Sequence, residues 1–131
     1  MKATRTINRP WIALSGLYIG LIFFASSRPY LHAPGPDFDM KDKVFHAAEY
    51  FVLAALVSRA ARRPRAAGWL VSVLVVVAVG ATVAAADELF QGTVPGRMRD
   101  VTDWAADVTG LAAGAALATP RRRAAGENAE G

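Results

Sequence analysis

The chain of 131 residues is 53% hydrophobic, carries a net charge of +4 and has no cysteine. That length holds one domain, and the apolar share is too high for a soluble domain so small, whose surface-to-volume ratio demands more polar residues. The missing cysteines exclude a disulfide framework, a thiolate zinc site and a thiol nucleophile, and the basic balance does not point to nucleic acid, because Lys and Arg flank apolar segments as they do in membrane proteins.

Residues 1–9 carry Lys2, Arg5 and Arg9 and no acid. An uncharged apolar run follows from Trp11 to about Ser27. It is long for the core of a signal peptide, although Ala25–Ser27 offers small residues for cleavage, and nothing after it reads as a secreted soluble domain. The run is therefore predicted to be a first transmembrane helix. Gly16 and Gly20 form a G-x-x-x-G pair that allows close helix approach. From Arg28 to Asp42, Pro29, Pro34, Gly35 and Pro36 break regular structure, and a loop is expected.

The second apolar segment runs from about Lys43 to Ala61. Asp42, His46, Glu49, Tyr50 and Leu53 recur at helical spacing and form one stripe, and Asp42 also suits the N-cap position. A short basic loop follows, with Arg59, Arg62, Arg63 and Arg65. The third segment, Ala66 to Ala86, has no charge and is long enough for one crossing. Its many valines do not make it a strand, since a lone strand in lipid leaves its backbone groups unpaired. It leads into Asp87, Glu88 and Gln91, and Gly92 to Gly96, with Pro95, predicts a turn. The fourth segment runs from near Asp100 to Thr119. Asp103 and Asp107 share a side with Gly110 and Gly114, and Ala106, Gly110, Gly114 and Ala118 form a small-residue seam for packing. Pro120 and Arg121–Arg123 end it, and a disordered tail is expected beyond.

These segments predict an all-α fold, an integral membrane four-helix bundle. Residues 1–10 form a cytoplasmic N-terminus, 11–119 the transmembrane domain and 120–131 a cytoplasmic tail. With the N-terminus inside, Lys2, Arg5, Arg9, Arg59, Arg62, Arg63, Arg65 and Arg121–Arg123 lie inside, against the smaller outer set of Arg28, Lys41, Lys43, Arg97 and Arg99. The positive-inside rule favours this orientation, with both termini cytoplasmic. The start of the second helix, the end of the third and the start of the fourth then share the outer face, and so do their ionisable residues.

Ionisable groups at membrane depth cost roughly 2.5–3.5 kcal/mol each on insertion scales, so a set kept at one end is a candidate site. Its members are Asp42, Lys43, His46, Glu49, Tyr50, Asp87, Glu88, Gln91, Arg97, Asp103 and Asp107. The plain alternative is that they pair with one another to hold the helices together. Tyr50, Trp104 and Trp11 read first as anchors at the membrane interface, and Asp37, Asp39, Arg99 and Asp100 as solvated loop or capping residues. His46, Glu49, Asp87 and Glu88 include donors that suit a hard or borderline cation. His46-x-x-Glu49 alone is a weak signal and the only other histidine is His32 in a loop, so no metal and no cofactor is assigned. Acid/base chemistry between carboxylates is conceivable, but no nucleophile elbow, phosphate loop or metalloprotease motif is present.

The blocks Asp42-Lys43-Val-Phe-His46-Ala-Ala-Glu-Tyr50-Phe-Val-Leu53 and Asp87-Glu88-Leu-Phe-Gln91-Gly-Thr-Val-Pro95-Gly96-Arg97, followed by Asp103, Asp107, Gly110 and Gly114, resemble the VanZ-like family of small bacterial membrane proteins. Asp107 stands where the family often has Asn, and Ala47 where Phe is common. The family is named for a protein that lowers susceptibility to the lipid-tailed glycopeptide teicoplanin without remodelling the peptidoglycan precursor. The resemblance implies a bacterial membrane protein and carries Asp42, Lys43, His46, Tyr50, Asp87, Glu88, Gln91, Arg97, Asp103, Asp107 and Gly110 forward as its motif residues. The first expectation, drawn from the residues themselves, is that a polar outer-leaflet pocket in the bacterial cytoplasmic membrane binds an amphipathic envelope lipid or glycopeptide, with Arg97 and Lys43 pairing phosphate or carboxylate, and affects teicoplanin-type susceptibility. Two alternatives stay open: a membrane-embedded enzyme acting on a lipid-linked envelope intermediate, with Glu88 or Asp103 and His46 exchanging protons, and a structural subunit. With no catalytic motif, a non-enzymatic role is the expectation.

Overall fold

The computed structural model describes residues 8–29, 35–36, 38–61 and 68–121. The expectations for residues 1–7, His32, Asp37, the loop residues Arg62, Arg63 and Arg65, and the tail beyond Arg121 lie outside the described residues. Among those described there are four helices and no strand: α1 (Arg9–Ser26), α2 (Lys41–Ala60), α3 (Trp69–Gln91) and α4 (Val101–Ala118).

Local chemistry sets the helix ends. Pro10 pre-sets the backbone for the first turn of α1. α2 begins at Lys41, with Met40 at its N-cap in the left-handed region at φ 64°. Asp42 is therefore not the cap; it lies in the first turn, where a carboxylate still favours the helix dipole. α3 continues past its apolar stretch, so Asp87, Glu88 and Gln91 ride on its last turns. The turn that follows needs Gly96, whose φ of 80° L side chains rarely adopt. Asp100 caps α4, accepting the Thr102 amide at 2.8 Å. Thr119, extended before Pro120, ends it.

Long-range hydrogen bonds fix the topology. The Asn8 amide donates to the Arg59 carbonyl at 3.0 Å, so the start of α1 meets the end of α2. Ser26 at the end of α1 meets Asp87 near the end of α3. Lys43 near the start of α2 meets Asp103 near the start of α4, and the Trp69 indole at the start of α3 donates to the Thr119 carbonyl at 3.0 Å, just past the end of α4. The helices therefore run up, down, up, down. α2 packs most extensively on α4, and α1 and α4 do not pack on each other.

The core is Ile22, Tyr50, Leu53, Ala54, Val73, Val76, Ala84, Leu111 and Ala115. Glycines set the closest approach: a Cβ at Gly110 would run into the Ala47 backbone carbonyl, and one at Gly114 into that of Phe51. The close approach expected at Gly16 and Gly20 is not made within this chain, where an added Cβ meets nothing within 4 Å. These two glycines lie on an outward part of α1.

Large apolar side chains also cover the outside. Ile12, Leu14, Leu17, Leu21 and Phe24 are exposed on α1, and Leu70, Val71, Leu74, Val75 and Val79 on α3. α1 and α3 are long and apolar enough to cross a membrane. α2 and α4 are not apolar enough by themselves: α2 carries Lys41, Asp42, Lys43, His46, Glu49 and Arg59, and α4 carries Asp103 and Asp107.

Candidate functional site

The alternating topology brings the end of α1, the start of α2, the end of α3 and the start of α4 together. Two interlocking polar networks occupy that end. In the first, Ser26 donates to Asp87 Oδ2 at 2.9 Å. The Gln91 amide donates to the same oxygen at 2.8 Å and to Ser26 Oγ at 3.2 Å, and Arg97 donates to Gln91 Oε1 at 2.8 Å. α3 places Asp87 and Gln91 one turn apart on its inner face; the turn after it folds Arg97 back over them.

The second network ties α2 to α4. His46 Nδ1 lies 2.9 Å from Asp107 Oδ1, while Nε2 faces Asp103 Oδ2 at 3.8 Å. Lys43 bridges Asp103 at 2.7 Å and Asp100 at 3.2 Å. The Asp100 backbone amide donates to Glu88 Oε2 at 3.0 Å, which joins α3 to the start of α4. Asp100 lies before the helix, where the Thr102 hydroxyl and amide, and then the Lys43 ammonium, hold its carboxyl down to about 2.

Burial divides these residues. Asp87, Glu88, Gln91 and Asp107 are buried, while Lys43, His46, Glu49, Arg97 and Asp103 are partly exposed. Four polar atoms in this region are buried without a hydrogen-bond partner: Asp87 Oδ1, Glu88 Oε1, Asp107 Oδ2 and the Tyr50 hydroxyl. An unpaired buried polar group is costly, about 1–3 kcal/mol and more when charged, so an end that keeps several of them stands to gain from a further partner.

Most of the predicted residues are gathered here, with exceptions. Asp42 is exposed, and its side chain makes no hydrogen bond or ion pair with the described residues. Tyr50 is no interface anchor; its side chain is fully buried and belongs to the core. Glu49 is half-buried beside the cluster, and its backbone carbonyl accepts from the Tyr18 hydroxyl at 3.2 Å. Two participants were not among the predicted site residues. Ser26 reads in sequence as the small-residue end of an apolar run, and Asp100 as a simple cap. The topology held the signal for both, since it puts the end of the first segment beside the end of the third.

The opposite end is basic and aromatic. The Arg59 guanidinium lies 5.4 Å from the Trp11 ring centre, and that of Arg121 lies 4.5 Å from the Trp69 ring centre.

The family model described as VanZ/LLP1 matches residues 4–122. The chain belongs to the VanZ/LLP1 family. A search of curated proteins and a search of solved structures found no match. The match spans all four helices, so the polar end belongs to the family's own domain. Membership of the VanZ/LLP1 family and two helices apolar enough to cross a bilayer together point to a membrane protein.

Proposed function

We propose that this VanZ/LLP1 protein is a multi-pass membrane protein of the bacterial cytoplasmic membrane, with both termini cytoplasmic. Its polar end, at the outer leaflet, binds the headgroup of an amphipathic envelope molecule, a lipid or a lipid-tailed glycopeptide. The observation that carries this reading is the placement of ionisable side chains. They gather at one end of helices whose outward faces are apolar, and the opposite end holds Arg59 and Arg121 beside tryptophans. The apolar outer faces suit lipid tails. Lys43 and Arg97, both partly exposed at the rim, suit a phosphate or carboxylate. The acids beneath suit amines and sugar hydroxyls. Holding a glycopeptide or its lipid-linked target there would lower teicoplanin-type susceptibility.

Two measurements test this. A Val94→Cys variant, in a chain without other cysteine, should react with a membrane-impermeant thiol reagent in intact cells; protection would invert the topology. Purified full-length protein in nanodiscs should bind teicoplanin or anionic phospholipid headgroups, and Lys43→Ala should weaken binding at least tenfold. Affinity unchanged by the substitution would refute the headgroup site.

A further inference from the structure

The deep acids of the polar end outnumber the cations that reach them. Asp87, Glu88 and Asp107 are buried, at 1%, 7% and 0% exposure. The cations near them are already engaged. Lys43 is held by Asp100 and Asp103 at the rim, Arg97 donates to Gln91, and His46 meets the deep set through Asp107. Asp87 has its own donors in Ser26 and Gln91. Glu88 and Asp107 are left sharing one imidazole and one backbone amide.

Geometry makes the imbalance specific. His46, Glu88 and Asp107 each offer one ligand atom, and the three atoms lie within 4.8 Å of one another. The two carboxylates each have one oxygen engaged and one buried with no partner, Glu88 Oε1 and Asp107 Oδ2. The His46 Nδ1 to Asp107 Oδ1 separation of 2.9 Å suits a hydrogen bond. It is also near the spacing of two ligands on one ion, roughly 3.0–3.4 Å for metal–ligand bonds of about 2.1 Å. The three residues come from three helices, so they converge only in the folded chain.

We infer that His46, Glu88 and Asp107 form a binding site for one divalent cation between α2, α3 and α4. One nitrogen and two carboxylates select a borderline ion of the Zn2+ or Mn2+ class over Ca2+, which prefers six to eight oxygens. The trio differs from the ligands weighed in the sequence: Asp107 replaces Glu49 and Asp87. The ion would neutralise the buried pair and link three helices. The inference stands apart from headgroup binding and holds whether or not that reading does.

The test uses the purified full chain, freed of any affinity tag, in detergent micelles. Titration with Zn2+ and with Mn2+, followed calorimetrically, should show one saturable site per chain. His46→Gln and Asp107→Asn should each weaken it at least tenfold, while Asp39→Asn, in the exposed turn before α2, should leave it unchanged. No saturable binding by the wild type, or wild-type affinity in both ligand variants, overturns the site. Should either variant fail to fold, Mn2+ bound to the wild type decides. Its electron spin-echo modulation should report a directly bound imidazole nitrogen, and the lack of that coupling overturns the site.

Discussion

Gly110 offers the sharpest test of how α2 and α4 meet. A methyl group there would run into the Ala47 backbone carbonyl, which no side-chain rotation can move. Extra carbon in a packed interface costs about 1–3 kcal/mol, and a backbone obstacle puts this case at the top of that range. Replacing helical Gly by Ala returns about 1 kcal/mol of propensity. Gly110→Ala should therefore destabilise by about 2 kcal/mol net. Gly114→Ala, against the Phe51 carbonyl, should behave alike. Gly80→Ala first meets the Leu111 side chain, which can shift, and should cost less. Gly16→Ala and Gly20→Ala meet nothing within 4 Å, and should be neutral or stabilise by up to about 1 kcal/mol. Reversible unfolding in mixed micelles, followed by circular dichroism, orders the five variants. Wild-type stability in Gly110→Ala, or equal losses at Gly16 and Gly110, would refute the argument.

Ser26→Ala removes one of two donors to a buried carboxylate and should cost about 1 kcal/mol in the same unfolding assay; Ser27→Ala, whose hydroxyl binds a local carbonyl, should cost less. Asp100 should titrate near 2 rather than at the usual carboxylate value of about 3.9, read from its carboxyl carbon by NMR. Its folded pKa lies below the unfolded one, so its stabilisation is present above pH ~4 and fades as pH falls toward 2. Asp100→Asn should abolish that part of the pH dependence.

The all-helical order was legible because apolar length and its breakers report helices directly. Pro29, the Gly92–Pro95 turn and Pro120 each stand just beyond a helix end. The gathering of the polar residues was legible too, since up-and-down order places the two motif blocks at one end. The details were not. Period 3.6 groups Asp42 with His46, but it does not say that Asp42 stays exposed while Lys43 beside it meets Asp100 and Asp103. Tyr50 has the composition of an interface anchor, and only the tertiary packing makes it core. G-x-x-x-G at Gly16 and small-x-x-x-small at Gly110 look alike in sequence. One faces outward and the other meets backbone, because the pairing of α2 with α4 is a tertiary choice.

Asp107 is where packing and charge part company. It is fully buried, with one oxygen on His46 and the other without a partner. An asparagine, which the family pattern often places here, keeps the shape and can still accept from His46 through its carbonyl. It brings one fewer charge into the interior, and taking a carboxylate out of water can cost more than its single contact with His46 returns. Asp107→Asn should therefore hold or gain stability in metal-free buffer, changing it by no more than about 1 kcal/mol. Asp107→Ala should lose about 1–3 kcal/mol, because it leaves the His46 donor unpaired in a partly buried site. Added Zn2+ should reverse the order of wild type and Asn variant, since a ligand that binds only the folded state stabilises in proportion to the logarithm of its concentration over Kd. Unfolding with and without the ion measures all four states. A wild type unmoved by Zn2+, or an Asn variant raised as much as the wild type, would reduce Asp107 to a packing residue with a charge its helix does not need.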